Sequence, residues 1–387
     1  MISWYNPLVL ATTKQKGDLR MDKQVGSQEM IRQLNRQLIL NLVRKSEPVS
    51  RAQIAKELQL SRSTVSQIVD GLLQDELIFE AEREDTTGKS GGRPGQMLRY
   101  NAVSSWLVAM DLTQEKSAAC ISDLRGSILL KEEFGPAAGA DDVHSFIQQL
   151  TEHAGIPSGR LRGISISVPG SVNRAGKVLR CSQLNWRNYD LRSELSAWHD
   201  APIAINNDVN LALIGEQRFG KGRNCGNLVY LHLGKGIGCG ILCSGNLVDG
   251  HSFMAGEIGT MRIVPEDGSP VLTLEQAIGL SFFGSQEGFR SSVAGYTRGR
   301  DPDKIKIQSF IRSVSTTIVM ITSLLNPHRL ILGGIMSEAM ADILEDVRES
   351  VAAGTTVPID IQLASLGEQA CLMGALAFEL NRLDQEA

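Results

Sequence analysis

The sequence predicts an α/β protein in which a small helical domain precedes a larger mixed domain. Three helical patterns and two strand-like runs fill residues 28–100, whereas later strand-like segments end in Gly, Asn or Asp and alternate with helical patterns. With 387 residues, 42% of them hydrophobic, the chain can bury more than one core. We expect a disordered tail over residues 1–27, a first domain over 28–100 and a second over 101–387.

Composition and charge exclude several classes of protein. The net charge of −4 gives the whole chain no basic character, so nucleic-acid binding must rest on a local surface. No apolar run of about 18 residues and no signal-peptide pattern occurs, so we expect a cytoplasmic protein. The six cysteines form no CxxC pair, which indicates reduced thiols; they are Cys120, Cys181, Cys225, Cys239, Cys243 and Cys371.

Two helices are predicted at the start of the first domain. Apolar residues recur at steps of three or four from Gln28 onward, which predicts an amphipathic helix; they are Ile31, Leu34, Leu38 and Leu42. After Ser50, the pair Ile54 and Leu58 has the spacing of a second, short helix.

A third helix begins after Ser61, whose hydroxyl suits an N-cap. Its apolar stripe is Val65, Ile68, Val69 and Leu72. The opposite face is polar and carries Arg62, Ser63, Ser66 and Gln67. Such a face, on the second of two short helices, suits a helix-turn-helix that reads DNA, because Arg and Gln can address guanine and adenine edges. The pattern alone fits an ordinary pair of helices with a solvated polar face equally well.

The segment that follows favours the DNA-binding interpretation. Residues 77–84 are strand-like, residues 86–95 form a glycine-rich loop, and residues 96–102 are extended again, which predicts a β-hairpin wing with a wing and linker region at 84–100. Lys89 and Arg93 lie in the loop and could reach a phosphate or a minor groove, although the segment could also be a solvated linker. The candidate DNA contacts are therefore Ser61, Arg62, Ser63, Thr64, Ser66, Gln67, Lys89 and Arg93.

Glycine-rich segments in the second domain leave two interpretations open. Residues 234–240 read GKGIGCG, and the open backbone amides of such a loop could meet a phosphate. A structural hairpin whose glycines permit close packing is at least as well supported. Gly333 and Gly334 could likewise adjoin a nucleotide or only turn the chain.

The order of motifs over about residues 28–380 resembles the ROK family of repressors and sugar kinases. The matching motifs are GGRPG at 91–95, VPG at 168–170, QLNW at 183–186, NNDVN at 206–210, GKGIGCG at 234–240, AGEIGT at 255–260 and LILGGIMSE at 330–338. The resemblance implies a two-lobed actin-like, ribonuclease-H-like ATPase fold with a sugar held between the lobes. The DNA-reading extension implies the repressor branch, with a DNA operator and a sugar effector as partners and a homodimer or dimer of dimers as the assembly.

The resemblance also assigns residues to a sugar site. Asp208 matches the catalytic base of the kinases, beside Asn207, which would bind a sugar hydroxyl. The other expected sugar contacts are Gly170, Gln183, Glu257 and Glu275. Because a carboxylate beside an amide also suits sugar binding without catalysis, the presence of Asp208 leaves both a sensor and an active kinase open.

Departures from the kinase pattern favour a sensor. In the first phosphate loop Asp111 is followed by Thr113, Gln114 and Glu115, where the family's kinases have glycines and a threonine, and we expect Glu115 to repel a triphosphate. We therefore expect no catalytic residue and no enzyme, with Asp208 as a vestigial base. The alternatives are an active sugar kinase with an accessory DNA module and a regulator that answers to a protein partner.

The zinc pattern of the family is also altered. Thr260 stands where many members have a zinc-binding histidine, and the segment from Met261 to Gln276 contains no cysteine. We predict a protein without zinc and without another cofactor.

Overall fold

The computed structural model describes residues 22–81, 96–263 and 270–386. The chain forms two compact units. The smaller comprises residues up to Trp106 together with Asp123–Arg125 and Leu380–Ala387, and the larger comprises Leu107–Ser122 and Gly126–Glu379. Lys89, Arg93 and the predicted tail before Asp22 lie outside the described residues.

The smaller unit has the elements of a winged helix-turn-helix. Its helices are α1 (Asp22–Ser46), α2 (Arg51–Glu57) and α3 (Arg62–Gln74), and its strands are β1 (Val49–Ser50), β2 (Ile78–Ala81) and β3 (Met97–Tyr100). The central strand β3 pairs antiparallel with both β1 and β2. The base of the predicted wing is therefore present. Helix α1 begins at Asp22, within the segment expected to be a tail.

The apolar stripe predicted for α1 is not the face that packs in this unit. Ile31, Leu34 and Leu38 are 55%, 53% and 41% exposed, whereas Ile39 and Val43 are fully buried. Helix α1 carries apolar residues on two faces that both satisfy helical spacing, so periodicity could not choose between them. Contact of α1 with α3 and β3 selects the face of Ile39 and Val43.

Helices α2 and α3 begin where the sequence predicts caps. Ser50 and Gln53 form a reciprocal capping box at the start of α2. Ser61 Oγ accepts the backbone N–H of Thr64 at 3.1 Å, so it caps α3. The stripe Val65, Ile68, Val69 and Leu72 is buried as predicted.

A first five-stranded sheet opens the larger unit. The elements of this half are β4 (Trp106–Asp111), β5 (Ser117–Asp123), β6 (Ile128–Phe134), α4 (Ala140–His153), β7 (Leu161–Val168), β8 (Ser171–Val172), β9 (Val178–Cys181), β10 (Trp186–Tyr189), α5 (Leu191–Leu195), β11 (Ile203–Asn207) and α6 (Asp208–Phe219). The sheet order is β11-β7-β4-β5-β6, with β11 and β7 parallel and β5 and β6 antiparallel. Strands β8, β9 and β10 form a small separate sheet.

A second five-stranded sheet follows, with the order β14-β13-β12-β17-β18, and with β15 pairing β16 apart from it. Its half contains β12 (Leu228–Leu233), β13 (Ile237–Cys243), β14 (Asn246–Leu247), β15 (Arg262–Ile263), β16 (Leu272–Thr273), α7 (Leu274–Ile278), α8 (Leu280–Phe283), α9 (Gln286–Thr297), α10 (Asp301–Leu325), β17 (Arg329–Gly333), α11 (Leu344–Gly354), β18 (Asp360–Leu363) and α12 (Ala370–Glu386). Two similar sheets in one unit agree with the expected two-lobed architecture.

The glycine-rich segment 234–240 is a hairpin, so the structure supports the packing interpretation for part of it. Leu233 pairs with Ile237 across the β12–β13 turn. A Cβ at Gly238 would lie 3.0 Å from Val209 Cγ2, and one at Gly240 would lie 3.0 Å from Val209 O. These glycines therefore let α6 pack directly on β13.

Within the described residues, α10 is the one helix with the length and hydropathy of a membrane span, and half of its most apolar window is buried. Phe310, Val314 and Ile318 are fully buried in the core of the larger unit. This burial is typical of a core helix in a globular domain.

Helices α6 and α12 cross at two glycines. A Cβ at Gly215 would lie 2.8 Å from Ala370 O, and one at Gly374 would lie 1.8 Å from Leu211 O. Side-chain rotation cannot relieve either contact, because the obstructing atoms belong to the backbone.

We expect Gly374→Ala to lower the free energy of unfolding of the larger unit by about 3 kcal/mol, because α6 and α12 would have to separate. Urea unfolding followed by tryptophan fluorescence measures this change. Gly135→Ala is the matched control, since a Cβ there meets nothing within 4 Å. Equal stability of the two variants would contradict the close helix contact.

Candidate functional site

The N-terminal end of α3 forms the candidate nucleic-acid interface. Arg62, Ser63 and Gln67 are exposed there, and Ser66 is half-buried. Ser61 Oγ lies 2.8 Å from both Ser63 Oγ and Thr64 Oγ1, so these three hydroxyls are partly engaged with one another at the cap. The exposed donors best placed for a DNA contact are therefore Arg62 and Gln67.

Acidic groups near this face are paired with arginine. Arg51 Nη2 lies 3.0 Å from Asp70 Oδ1 and 3.0 Å from Glu80 Oε1. Arg36 pairs with Asp75 just beyond the end of α3. These ion pairs reduce the repulsion that Asp70 and Asp75 would exert on a phosphate backbone.

The candidate sugar cleft lies at the carboxyl ends of parallel strands. Asn207 at the end of β11 is in register with Val168 at the end of β7, which brings the NNDVN and VPG motifs to one edge of the sheet. Leu112 N–H donates to Ser167 O at 3.0 Å, so the end of β4, with Asp111, reaches the same edge.

Asn207 and Asp208 are held by the start of α6. Asn207 Oδ1 accepts the Asn210 N–H at 3.0 Å as the helix cap, while its Nδ2 donates to Gly170 O and Asp208 Oδ1, each at 3.0 Å. Asp208 Oδ1 also accepts the Val209 N–H at 2.9 Å. The structure therefore brings Gly170, Asn207 and Asp208 together, with one Asp208 oxygen aligned by its neighbours.

Gly170 has a steric role in this arrangement. A Cβ at this position would lie 2.3 Å from Arg180 O, so only glycine lets the segment after β7 approach β9 this closely. Gln183, in the turn between β9 and β10, is exposed.

Two aspartates in the cleft interact strongly. Burial, together with the nearby carboxylates of Asp111 and Glu257, raises the pKa of Asp208 to about 7. Burial also raises the pKa of Asp111 to about 6, opposed by a hydrogen bond from Ser167. Two desolvated carboxyl groups so placed favour retention of a proton, which leaves a donor as well as acceptors for a sugar hydroxyl.

The two predicted glutamates are electrostatically coupled to each other, and Glu257 is also coupled to Asp208. Glu257 lies at the start of the short 3₁₀ helix Ile258–Thr260, and its pKa is raised by desolvation and by the charge of Glu275. Glu275 Oε2 lies 3.2 Å from where a Cβ on Gly259 would be and 3.8 Å from the equivalent position on Gly236. Electrostatic coupling from Asp208 through Glu257 to Glu275 thus links three of the predicted contacts.

An ion pair between the two phosphate-loop segments is the feature that the sequence interpretation missed. Lys235 Nζ donates to Glu115 Oε1 at 2.6 Å. This hydrogen bond and the Lys235 charge lower the pKa of Glu115. The repulsion expected from Glu115 is therefore partly neutralised by this exposed ion pair. A basic residue inside the 234–240 glycine segment was the available sequence signal.

No cluster of three or more His, Cys, Asp or Glu side chains is arranged to hold a metal ion in residues 22–81, 96–263 and 270–386. Thr260 Oγ1 donates to Glu257 O at 3.5 Å, a long contact within its own 3₁₀ turn. The zinc-free protein stays a prediction.

We expect the raised pKa of Asp208 to appear in stability. The folded value of about 7 lies above the ordinary value of 3.8, so the folded state binds this proton more tightly and loses stability as pH rises between these values. Asp208→Asn removes the titration, so its stability relative to the unchanged chain should rise from pH 4 to pH 7, by about 4 kcal/mol, and then level off.

Urea unfolding across that pH range measures the difference, and Asp200→Asn, at an exposed loop position, is the control. A difference that stays flat from pH 4 to pH 8 would show that Asp208 does not retain its proton.

Comparison with known proteins identifies both parts of the chain. The model of the ROK family matches residues 107–280, and the model of the MarR family matches residues 36–90. The xylose repressor of Bacillus subtilis is 31% identical over 248 residues, which are 62% of this chain and 63% of that repressor. The chain therefore matches less than two thirds of that relative's length.

Two further relatives match nearly the whole chain. The xylose repressor of Caldicellulosiruptor bescii is 24% identical over 396 residues, covering 92% of this chain and 98% of that protein. A crystal structure described as a ROK family transcriptional regulator, a homologue of the Escherichia coli Mlc protein, aligns with a TM-score of 0.74 at 21% identity over 92% of this chain and 97% of its own. This structural likeness confirms the predicted fold. Residues 107–280 therefore carry a ROK family domain, and residues 36–90 ahead of it carry a MarR-like winged helix-turn-helix.

Proposed function

We propose that this protein is a DNA-binding transcription repressor of carbohydrate genes whose kinase-like cleft holds a sugar effector. The observation that carries the proposal is the presence, in one chain, of an exposed Arg62 and Gln67 face on a capped α3 and of a ROK domain that keeps Asn207, Asp208, Glu257 and Glu275. The relatives named as xylose repressors support the same function.

Operator contact is assigned to the start of α3 and to the wing. Arg62 and Gln67 read base edges in the major groove, and Ser63 and Ser66 bind bases or phosphates. Ser61 and Thr64 organise the cap and can offer a hydroxyl to the backbone of the DNA. Lys89 and Arg93, which follow β2 in the sequence, are proposed as further cationic contacts.

The effector occupies the carboxylate-lined cleft. Asn207, Asp208, Glu257 and Glu275 present acceptors to sugar hydroxyls, with Gly170 and Gln183 at further contact positions. An uncharged sugar suits this set, because four carboxyl groups, counting Asp111, disfavour an anionic ligand. D-xylose is the first candidate, because relatives of this chain are named xylose repressors.

The two segments that match phosphate loops support sensing without phosphoryl transfer. Glycine amides and a positive potential are what a triphosphate needs, whereas here Glu115 stands in the first loop and occupies the Lys235 ammonium of the second. Binding a nucleotide would require breaking this ion pair and accommodating an unpaired carboxylate beside phosphate. Asp208 then serves to bind a hydroxyl, and no residue is assigned a catalytic role.

The working form is a cytoplasmic homodimer, or a dimer of dimers. A two-fold assembly matches a palindromic operator, since each reader addresses one half-site. The sugar alters DNA affinity only if it binds one arrangement of the dimer better than the other.

We expect Arg62→Ala and Gln67→Ala each to weaken binding to DNA upstream of the controlled genes by about 5- to 150-fold, the range for a lost base contact. Fluorescence anisotropy against unrelated competitor DNA measures the loss. Arg312→Ala, which removes a cation from α10, is the control and should bind as the unchanged chain does. If the unchanged chain showed no preference for this upstream DNA over competitor DNA, the regulator proposal would be wrong.

A coupled assay of ADP release over a panel of pentoses and hexoses separates the sensor from the kinase. We expect no sugar-dependent turnover, while calorimetry on the same panel detects a sugar that binds the unchanged chain and binds Asp208→Asn at least 10-fold more weakly. Robust ADP release that disappears in Asp208→Asn would establish the kinase instead. Failure of every sugar to bind would favour control by a protein partner.

A further inference from the structure

Four side chains in the smaller unit form a network that the proposed DNA and sugar contacts do not use. They are Arg44 in the last turn of α1, Glu47, Tyr100 at the end of β3 and Arg125 in the turn between β5 and β6, and we call them the Tyr100 network. The guanidinium carbons of Arg44 and Arg125 lie 5.7 and 5.8 Å from the centroid of the Tyr100 ring. Glu47 accepts the Tyr100 N–H at 2.5 Å and pairs with Arg125.

Three members of the network are largely shielded from water, whereas Arg125 is partly exposed. Tyr100 is 7% exposed, the side chains of Arg44 and Glu47 are 15% and 14% exposed, and the side chain of Arg125 is 44% exposed. Charges with so little access to water interact more strongly than pairs on an open surface, and loss of one partner leaves the other uncompensated. The network therefore fixes the position of the segments that meet in it.

Two of those segments come from parts of the chain far from the winged helix-turn-helix. Leu124, beside Arg125, accepts from Arg44 Nη2 at 3.4 Å and donates its N–H to Ala102 O at 3.0 Å. Arg44 also pairs with Asp384 in the last turn of α12. The end of α1 and the end of β3 are thus tied to the β5–β6 turn and to the C-terminal helix.

Strand β5 links this network to a phosphate loop by continuous chain. It runs for seven residues, about 20 Å, from Ser117 to Asp123. Just before it, Lys116 N–H donates to Thr113 Oγ1 at 3.0 Å in the turn that carries Glu115. The residue bound to Lys235 and the residue bound to Glu47 therefore flank the two ends of a single strand.

Helix α12 provides a second such link. Its 17 residues span about 25 Å, with Gly374 against the backbone of α6 near one end and Asp384 near the other. The segment before it is also bound to α6, because Glu216 accepts the N–H groups of Ser365 and Leu366 at 2.7 and 2.8 Å. Helix α6 is the element that begins at Asp208.

We propose that Arg44, Glu47 and Arg125 are positioning residues that couple the state of the sugar cleft to the DNA reader through β5 and α12. This inference rests on the proposed function, in which a sugar bound in the cleft changes DNA binding. A strand and a helix with close-packed neighbours transmit a small displacement of Asp208 or of the Glu115 turn because neither can shorten. The network converts that displacement into a change at α1 and β3, which pack on α3 and β2.

A first experiment needs neither sugar nor DNA. Lys235→Ala breaks the cleft ion pair in the full chain, and hydrogen–deuterium exchange is followed at residues 40–47 and 97–104. We expect Lys235→Ala alone to change the exchange rates of these two segments at least threefold relative to the unchanged chain. The change should fall below 1.5-fold when Arg125→Gln or Glu47→Gln is added. Lys131→Gln, which removes an exposed cation from the same hairpin, is the matched control and should preserve the response.

A second experiment measures the coupling itself with D-xylose as the probe. Arg125→Gln should keep its affinity for D-xylose and for operator DNA within about threefold while the effect of the sugar on DNA affinity falls at least fivefold. Lys131→Gln should keep the full effect. If calorimetry detects no binding of D-xylose to the unchanged chain, the proposed effector is wrong. The hydrogen–deuterium exchange experiment then tests the coupling without a sugar.

The inference is overturned if Lys235→Ala leaves exchange at both segments unchanged, or if the response persists in both Arg125→Gln and Glu47→Gln. Two variants are used because Glu47→Gln retains an oxygen that can accept from Tyr100 N–H, which protects the fold while removing the charge.

Discussion

Parallel pairing of β11 with β7 is the constraint on which the cleft depends. The register of Asn207 with Val168 places the residues after both strands at one edge of the sheet. Helix α6 then starts directly at Asp208, so Asn207 is both the cap of this helix and a hydrogen-bond donor to Gly170 O. A shift of one residue would reverse every side chain of β11 and remove the cap, the acid and the glycine contact together.

Negative charge concentrated at this edge is compensated in two different ways. Asp111 and Asp208 lie where desolvation favours their protonated forms, so proton uptake offsets their mutual repulsion. Glu115 remains exposed and is neutralised by the Lys235 ammonium. The first arrangement suits exchange of hydrogen bonds with neutral hydroxyls, and the second occupies the groups that a kinase would direct at phosphate. Both arrangements agree with the proposed sensing role of the cleft.

The sequence predicted helix α3 of the winged helix-turn-helix more fully than it predicted helix α1 or the candidate sugar cleft. In α3 the cap at Ser61 and the buried stripe from Val65 to Leu72 follow from local chemistry, because one helix face carries nearly all the apolar residues. In α1 two faces are apolar, and the prediction chose Leu34 and Leu38 where the structure buries Ile39 and Val43. The glycine segment at 234–240 likewise admitted a phosphate loop or a packed hairpin until α6 was seen to lie against Gly238 and Gly240.

The sequence by itself determined the winged helix-turn-helix and the ROK resemblance, because caps, periodicity and motif order are local properties of the chain. The resemblance in turn predicted Asn207, Asp208, Glu257 and Glu275 as sugar contacts. Tertiary structure alone decided which face of α1 is buried, that Lys235 binds Glu115 across 120 positions, and that Arg44 meets both Leu124 and Asp384. Contacts at such separations depend on how sheets and helices pack, and no spacing within the sequence encodes them.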